Sequence, residues 1–167
     1  MSSSAPQPRV EGTTYNLLFV CSGNTCRSPM AEAIARAMLQ ERGWTHVDVQ
    51  SAGTGAVPGA AASPEAILVA REHDLDLQQH TSQPLTPELI AWADLVLTMS
   101  TSHMYTVADL GGAEKVALVT DFIEGAGSGE PVADPFGSDP DGYREAFAQI
   151  EAAVSSLLDR LEPILSP

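Results

Sequence analysis

The sequence is poor in basic residues. Eight Lys and Arg residues stand against 22 Asp and Glu residues, so the formal net charge is -14, and Lys115 is the sole lysine. Nucleic acids and anionic membranes are bound largely through phosphates that basic side chains neutralise. We therefore expect neither as a partner, and any phosphate that this chain binds must lie in a locally positive pocket.

Long apolar segments and widely spaced cysteines are also lacking. No run is apolar for long enough to form a signal peptide or a membrane span. The small polar residues at positions 1–13 predict a disordered tail before a single domain over residues 14–167.

Cys21 and Cys26, the two cysteines, lie five positions apart, whereas the disulfides of secreted proteins usually join distant segments. This spacing favours a cytoplasmic protein with reactive thiols. Because zinc sites need four ligands and no histidine lies near this pair, we expect no metal site.

Short apolar strands and helices alternate along the remaining chain. Strands are predicted at residues 15–20, 47–51, 95–99 and 116–119, and helices at 28–42, 63–73, 102–110 and 143–161, with a short one from Thr86. Ser28, Ser63 and Thr86 each precede a proline, as capping residues often do. The alternation predicts an α/β fold with a parallel sheet between two layers of helices. Residues 125–142 are rich in Gly, Pro and Asp, which favours a functional loop.

The segment CSGNTCRS, which begins at Cys21, lies between the first strand and the first helix. Ligands bind at this end of parallel strands, and a helix N-terminus attracts anions through its free N–H groups. Gly23 and Asn24 accommodate conformations that turn N–H groups inward, and Arg27 offers paired donors for phosphate oxygens. The same positive surroundings favour the thiolate of Cys21, a nucleophile to which the Ser28 hydroxyl is well placed to donate. The segment therefore predicts a phosphate loop with a catalytic cysteine.

The alternative interpretation of this segment is a buried cysteine in a nucleotide-binding turn. Neither the lysine-containing phosphate loop nor a full dinucleotide-binding glycine pattern is present in the sequence. We therefore favour catalysis over nucleotide binding.

The sequence FVCSGNTCRSPMAEAI around the segment resembles the active-site loop of the low-molecular-weight protein tyrosine phosphatase family. The similarity continues with SAGT at residues 51–54, ADLVL at 93–97 and ADPFG at 133–137. It implies a single-domain, three-layer fold in which a four-stranded parallel sheet has helices on both faces. It also implies a phosphorylated protein as the substrate and no cofactor, because the loop itself neutralises the phosphoryl oxygens.

The resemblance assigns roles in catalysis. Cys21 is the attacking thiolate, and Arg27 binds the phosphate. Asp134 protonates the leaving group and then activates the water that hydrolyses the phosphoenzyme. The other positions of the phosphate-binding loop are Ser22, Gly23, Asn24, Thr25, Cys26 and Ser28, and the loop is held in shape by Asn24, Ser28, Ser51 and His80. An exposed loop histidine is the alternative for His80, because its neighbours depart from the tyrosine-specific branch.

Cys26 has two candidate roles. The resemblance implies a reversible disulfide with Cys21 that protects the nucleophile from over-oxidation. The alternative is a small buried apolar side chain.

Thr25 and Phe136 bear on the choice of substrate. Tyrosine-specific relatives carry a bulky branched aliphatic residue at position 25, whereas the bacterial branch that resembles protein-arginine phosphatases carries threonine. In the tyrosine branch two aromatic residues usually follow the Asp-Pro pair, and here Phe136-Gly137 supplies one. The resemblance therefore favours protein phosphoarginine, with phosphotyrosine as the alternative.

Two further functions compete with these. An arsenate reductase of the same fold needs additional cysteines to carry oxidising equivalents away, and none occurs outside the loop. A non-catalytic module that binds phosphoproteins would be expected to lack the nucleophile or the acid, and both Cys21 and Asp134 are present. The sequence leaves the oligomeric state open.

Overall fold

Four parallel strands form the central sheet, in a computed structural model that describes residues 14–125 and 127–165. The strands are β1 (Tyr15–Cys21), β2 (Val47–Gly53), β3 (Leu95–Thr98) and β4 (Val116–Leu118), and they lie in the order β2-β1-β3-β4. The predicted α/β fold with a four-stranded parallel sheet is confirmed. The tail predicted at residues 1–13 lies outside the described residues.

The described residues also form five α-helices. They are α1 (Arg27–Arg42), α2 (Pro64–Glu72), α3 (Pro87–Trp92), α4 (Thr101–Val107) and α5 (Pro140–Leu165). A π-helical turn, Ala108–Gly112, extends α4, and a 3-10 turn, Val119–Phe122, follows β4. The last helix therefore begins three residues before its predicted start at Tyr143.

The sheet separates two hydrophobic clusters. Leu17 and Phe19 of β1 pack with α1, α2 and α5 on one face, whereas Leu18 and Val20 pack with α3 and the end of α4 on the other. Because both faces of β1 are covered, its sequence is continuously apolar from Leu17 to Val20 rather than alternating. Burial of one large apolar side chain contributes about 1.5–3 kcal/mol. The two clusters therefore fix the strand whose last residue is Cys21.

The apolar face predicted for the last helix is buried. Phe147, Ile150, Val154, Leu157 and Leu158 all lie in the cluster beneath α5. Within the described part of the chain, no helix combines the length and the apolar character needed to cross a bilayer.

The start of α1 differs from the prediction. The helix begins at Arg27, its capping position is Cys26, and no side chain caps it. The predicted cap, Ser28, lies inside the first turn because its hydroxyl contacts Cys21 and Asn24 instead. The predicted end is confirmed, since Gly43 follows the helix in the left-handed conformation with φ 73°.

Candidate active site

The loop between β1 and α1 lies at the C-terminal edge of the sheet. Cys21, the last residue of β1, is paired with Gly53, the last residue of β2. A Cβ atom on Gly53 would lie 2.4 Å from the carbonyl oxygen of Ser22 and 2.9 Å from the backbone nitrogen of Asn24. The loop therefore rests directly on a glycine, because no other residue leaves room for its backbone.

Asn24 fixes the shape of the loop from inside. It is fully buried and has a left-handed backbone, with φ 57°. Its side-chain Nδ2 donates to the hydroxyls of Ser28 (2.8 Å) and Ser51 (3.0 Å), and its Oδ1 accepts from the backbone N–H of Gln83 (2.9 Å). One asparagine thus joins the loop, α1, β2 and the segment before α3, and these bonds offset the strain of its backbone.

His80, Ser51 and Glu32 support this asparagine from outside. The Nε2 atom of His80 donates to the carbonyl oxygen of Asn24 at 2.7 Å. The Ser51 hydroxyl donates to the Glu32 carboxylate at 2.6 Å. The structure therefore brings Ser51 and His80 to the loop. Sequence reasoning did not identify Glu32 or Gln83: Glu32 lies within the matching segment FVCSGNTCRSPMAEAI but was given no role, and Gln83 lies outside the matching segments.

Cys21 lies at the floor of the loop with 2% of its surface exposed. Its Sγ atom is 2.9 Å from the hydroxyl oxygen of Ser28. That oxygen already accepts from Asn24, so the Ser28 hydroxyl hydrogen is free to point at the sulfur. Within the described part of the chain, the backbone N–H groups of residues 23–28 donate to no other group. A thiolate or a bound oxyanion would therefore find donors on several sides.

Arg27 lines the loop with its guanidinium, and its residue is only 5% exposed. Nη1 donates to the carbonyl oxygen of Val132 at 3.0 Å, and Nη2 lies 3.5 Å from the Ser22 hydroxyl and 3.6 Å from the Asp134 carboxylate. Its buried Nε has no hydrogen-bond partner among the described residues. A buried donor left unpaired costs about 1–3 kcal/mol. An acceptor such as a phosphoryl oxygen would satisfy this donor.

Asp134 and Phe136 form the outer wall of the site. The Asp134 side chain is 53% exposed, and its Oδ1 accepts from the backbone N–H of Phe136 at 3.1 Å. Phe136 itself is 75% exposed. The walls enclose a cavity of about 240 Å³ lined by Cys21, Ser22, Gly23, Thr25, Cys26, Arg27, Asp134 and Phe136. The long loop that sequence analysis singled out therefore meets the cysteine loop across one cavity.

Cys26 faces a second group of polar atoms behind the loop. Its Sγ lies 3.3 Å from the Tyr143 hydroxyl and donates to the Ser63 hydroxyl at 3.5 Å. Both cysteines are free thiols in the structure. Burial, together with the contact to Cys26, raises the pKa of Tyr143 to about 12. Thr25 stands beside Cys26 and presents its side chain to the cavity.

His103 is a site residue that sequence reasoning missed. It is 4% exposed, its Nε2 lies 2.9 Å from the Ser22 hydroxyl, and its Nδ1 lies 3.0 Å from the Ser100 hydroxyl. Burial, and secondarily the Arg27 charge, lower the pKa of His103 to about 4, against an opposing effect of Asp134. Its place shortly after β3, the strand beside β1, is the signal that could have identified it.

The described polar groups at this edge of the sheet do not resemble a metal site. Over residues 14–125 and 127–165, no group of three or more His, Cys, Asp and Glu side chains is arranged to hold a metal ion. The donors that surround the cavity are instead backbone N–H groups, hydroxyls and a guanidinium, which suit a phosphoryl group.

Comparisons with known proteins agree with this chemistry. The model of the low molecular weight phosphotyrosine protein phosphatase family matches residues 16–164. The protein-arginine-phosphatase of Bacillus subtilis (strain 168) is 38% identical over 149 residues, which are 88% of this chain and 97% of that protein. A low molecular weight protein-tyrosine-phosphatase of Streptomyces coelicolor is 35% identical over 152 residues, 87% of this chain and 92% of that protein.

A solved structure extends the comparison to three dimensions. The YwlE arginine phosphatase, in a mutant form with a phosphorylated active-site serine, superposes with a TM-score of 0.82. It is 37% identical in sequence, and the match covers 89% of this chain and 97% of that one.

Proposed function

Because this chain belongs to the low molecular weight phosphotyrosine protein phosphatase family, we propose that its reaction is the hydrolysis of protein phosphoarginine through a phosphoenzyme on Cys21. The protein is a phosphatase, as its family and its relatives named protein-arginine-phosphatase and protein-tyrosine-phosphatase show. The observation that carries the proposal is the buried Nε of Arg27, which has no hydrogen-bond partner among the described residues, in a side chain that lines the same cavity as Cys21.

In the first step the Cys21 thiolate attacks the phosphorus. A bond forms between sulfur and phosphorus, and the bond from phosphorus to the substrate nitrogen breaks. The guanidinium of Arg27 and the free N–H groups of residues 23–28 hold the phosphoryl oxygens as their charge is redistributed. The Ser28 hydroxyl stabilises the thiolate before attack.

Asp134 serves both steps from the rim. Its carboxylic acid donates a proton to the departing guanidine nitrogen, and the resulting carboxylate then takes a proton from the water that attacks phosphocysteine. Inorganic phosphate leaves, and the thiolate and the acid are restored. This role is supported by the position of Asp134, which lines the same cavity as Cys21 and lies 3.6 Å from Nη2 of Arg27.

Support for phosphoarginine comes from the cavity wall and from the relatives. Thr25 lines the cavity with a short side chain, and Phe136 is the aromatic residue among those that line it. The chain shares 38% and 35% identity with two proteins named protein-arginine-phosphatase. Phosphotyrosine is the second candidate, because Phe136 offers an exposed ring on which a phenol could stack and the Streptomyces relative is named a protein-tyrosine-phosphatase.

The test compares kcat/KM on peptides that differ only in carrying phosphoarginine or phosphotyrosine. We expect the wild type to prefer phosphoarginine, and Thr25→Ile to reverse the preference by about tenfold or more, since one methylene in a pocket changes selectivity by about 10–200-fold. Thr25→Val is the matched control because it removes the hydroxyl and keeps the size. A wild-type preference for phosphotyrosine that Thr25→Ile leaves unchanged would reject phosphoarginine as the substrate.

A second measurement tests the phosphoenzyme. Cys21→Ser should retain binding of inorganic phosphate and lose turnover, whereas Asp134→Asn should slow turnover by about 10²–10⁴-fold. Undiminished turnover in Cys21→Ser would show that another group is the nucleophile. Thiol oxidation that depends on arsenate would favour the arsenate reductase.

We also propose that the protein acts in the cytoplasm, where free thiols such as those of Cys21 and Cys26 persist.

A further inference from the structure

The Ser22 hydroxyl links two buried side chains, Arg27 and His103, of which the proposed reaction uses only Arg27. Its oxygen lies 3.5 Å from Nη2 of Arg27 and 2.9 Å from Nε2 of His103. On the far side of the ring, Nδ1 of His103 lies 3.0 Å from the hydroxyl of Ser100. The imidazole of His103 therefore lies between two hydroxyls, and one of them, that of Ser22, also contacts Arg27, the residue proposed to bind the phosphoryl group.

The hydrogen atoms along this row can be assigned from the chemistry of the groups. A guanidinium has donors and no acceptor, so the Ser22 oxygen accepts from Arg27. Its single hydrogen is paired if it points to Nε2 of His103, whereas an Nε2–H that donated to the same oxygen would leave this hydrogen without a partner among the described residues. The ring hydrogen consequently lies on Nδ1 and is donated to Ser100. A protonated ring would instead donate an N–H to the Ser22 oxygen, beside the one from Arg27, and would leave the Ser22 hydroxyl hydrogen without its acceptor.

The surroundings of His103 favour this uncharged state. The ring is buried, and the charged groups that act on it are the Arg27 guanidinium, from the first turn of α1, and the Asp134 carboxylate, from the long loop. Its hydrogen-bond partners are both neutral hydroxyls. No carboxylate within the described residues is hydrogen-bonded to the ring to stabilise an imidazolium.

We propose that His103 is a positioning residue for Arg27. As the neutral tautomer with hydrogen on Nδ1, it orients the Ser22 hydroxyl so that its oxygen faces Nη2. Together with the Val132 carbonyl at Nη1, this holds the guanidinium plane and leaves Nε for the ligand. The inference rests on the proposed role of Arg27 in binding phosphate, but it concerns a proton position that can be measured without substrate.

Nitrogen NMR of the wild type tests the proton position directly. In uniformly ¹⁵N-labelled protein between pH 5.5 and 8, we expect His103 to show a protonated Nδ1 and an unprotonated Nε2. A ring protonated on Nε2, or on both nitrogens, in that range would overturn the proposal. His46, which precedes β2 at the opposite edge of the sheet, is the internal reference. Its signals are identified as those that disappear in a His46→Gln variant.

Two variants with the same amide group but different reach test the link to Arg27. His103→Gln can place an oxygen near the position of Nε2, whereas His103→Asn is one methylene too short to reach Ser22. We expect His103→Asn to lower kcat/KM for p-nitrophenyl phosphate by about tenfold, which is the size of effect that the loss of one hydrogen bond produces. The inhibition constant of inorganic phosphate should rise severalfold for the same reason. His103→Gln should restore most of both. Equal losses in the two variants would overturn the proposal.

The inhibition constant separates positioning from a loss of folded protein. A smaller folded fraction lowers the apparent kcat and leaves the inhibition constant of phosphate unchanged. The Ser22→Ala background adds a second check, because His103→Asn should have little further effect once Ser22 no longer transmits it. Additive losses in the double variant would contradict the proposal. If the wild type failed to bind phosphate or vanadate, the proposed function would fail, whereas the NMR result would still report on His103.

Discussion

The first turns of α1, α2 and α3 satisfy their N–H groups in different ways. In α2 and α3, Ser63 and Thr86 accept from N–H groups three residues on, at 3.3 Å and 3.1 Å, and an acidic residue follows in the first turn. In α1 the capping position is Cys26, no side chain accepts a first-turn N–H, and no acidic residue lies in the first turn.

This difference follows from what each helix end does. The caps of α2 and α3 complete the helix with groups of the same chain, which stabilises the fold. The first turn of α1 keeps its donors free and carries no negative charge, which suits an incoming dianion. The serine that would otherwise cap it, Ser28, contacts the Cys21 sulfur instead. The first turn of α1 therefore lacks the side-chain cap that stabilises α2 and α3, at the site where we propose that phosphate binds.

The largest effect is expected where the uncapped loop rests on β2. Gly53→Ala would put a Cβ atom 2.4 Å from the Ser22 carbonyl oxygen, so the loop must move. A shift of about 1 Å costs roughly a hundredfold in rate, and we expect kcat/KM to fall by about that factor. Gly55→Ala is the matched control, because its Cβ would meet no atom closer than 4.0 Å. Equal activity in the two variants would show that the loop tolerates displacement.

The next effect is the pH dependence of the free energy of unfolding that arises from His103, whose ring contacts Ser22 in the loop before α1. Burial, with Arg27 nearby, lowers its pKa from 6.5 to about 4. As the pH falls below 6.5, the unfolded chain binds a proton that the folded protein does not, so the free energy of unfolding decreases until about pH 4. The loss reaches about 3 kcal/mol at most. Urea unfolding between pH 4 and 7 should show a flatter profile in His103→Gln, and parallel profiles would contradict the assignment.

The smallest effect separates a stabilising hydroxyl from a functional one. Thr86→Ala should lower the free energy of unfolding by about 1 kcal/mol and leave kcat/KM unchanged, because it removes only a cap. Ser28→Ala should instead lower kcat/KM by about tenfold, because the Cys21 thiolate loses a donor. Urea denaturation and steady-state kinetics on both variants give the comparison. A larger loss of activity in Thr86→Ala would remove the distinction between the two helix ends.

Most of the fold could be predicted from local sequence patterns. The strands, the left-handed Gly43 and the Ser-Pro and Thr-Pro starts of α2 and α3 lie as expected, because each depends on neighbouring residues. The start of α1 was predicted at Ser28 and lies at Arg27. There the same Ser-Pro pattern was misleading, because a contact across the loop decides where the hydroxyl goes.

The supporting residues of the site were harder to predict because they come from distant segments. Glu32 reaches Ser51 from α1, Gln83 reaches Asn24 from before α3, and His103 reaches Ser22 from α4. Gln83 and His103 lie outside the matching segments, and nothing in the sequence around Glu32 indicates that it contacts Ser51. Their roles depend on the order of strands in the sheet, which brings the ends of β2, β1 and β3 side by side.

The sequence by itself determined which reactive groups the loop carries, because a cysteine, an arginine six positions on, and a glycine and an asparagine between them all lie within one short segment. Tertiary structure alone decided how that loop is held: Gly53 beneath it, Asn24 inside it and His103 behind Ser22. The physical reason is that the two kinds of contact act over different separations along the chain. A local pattern fixes which groups are available, whereas burial and hydrogen bonding between distant segments fix where their donors point.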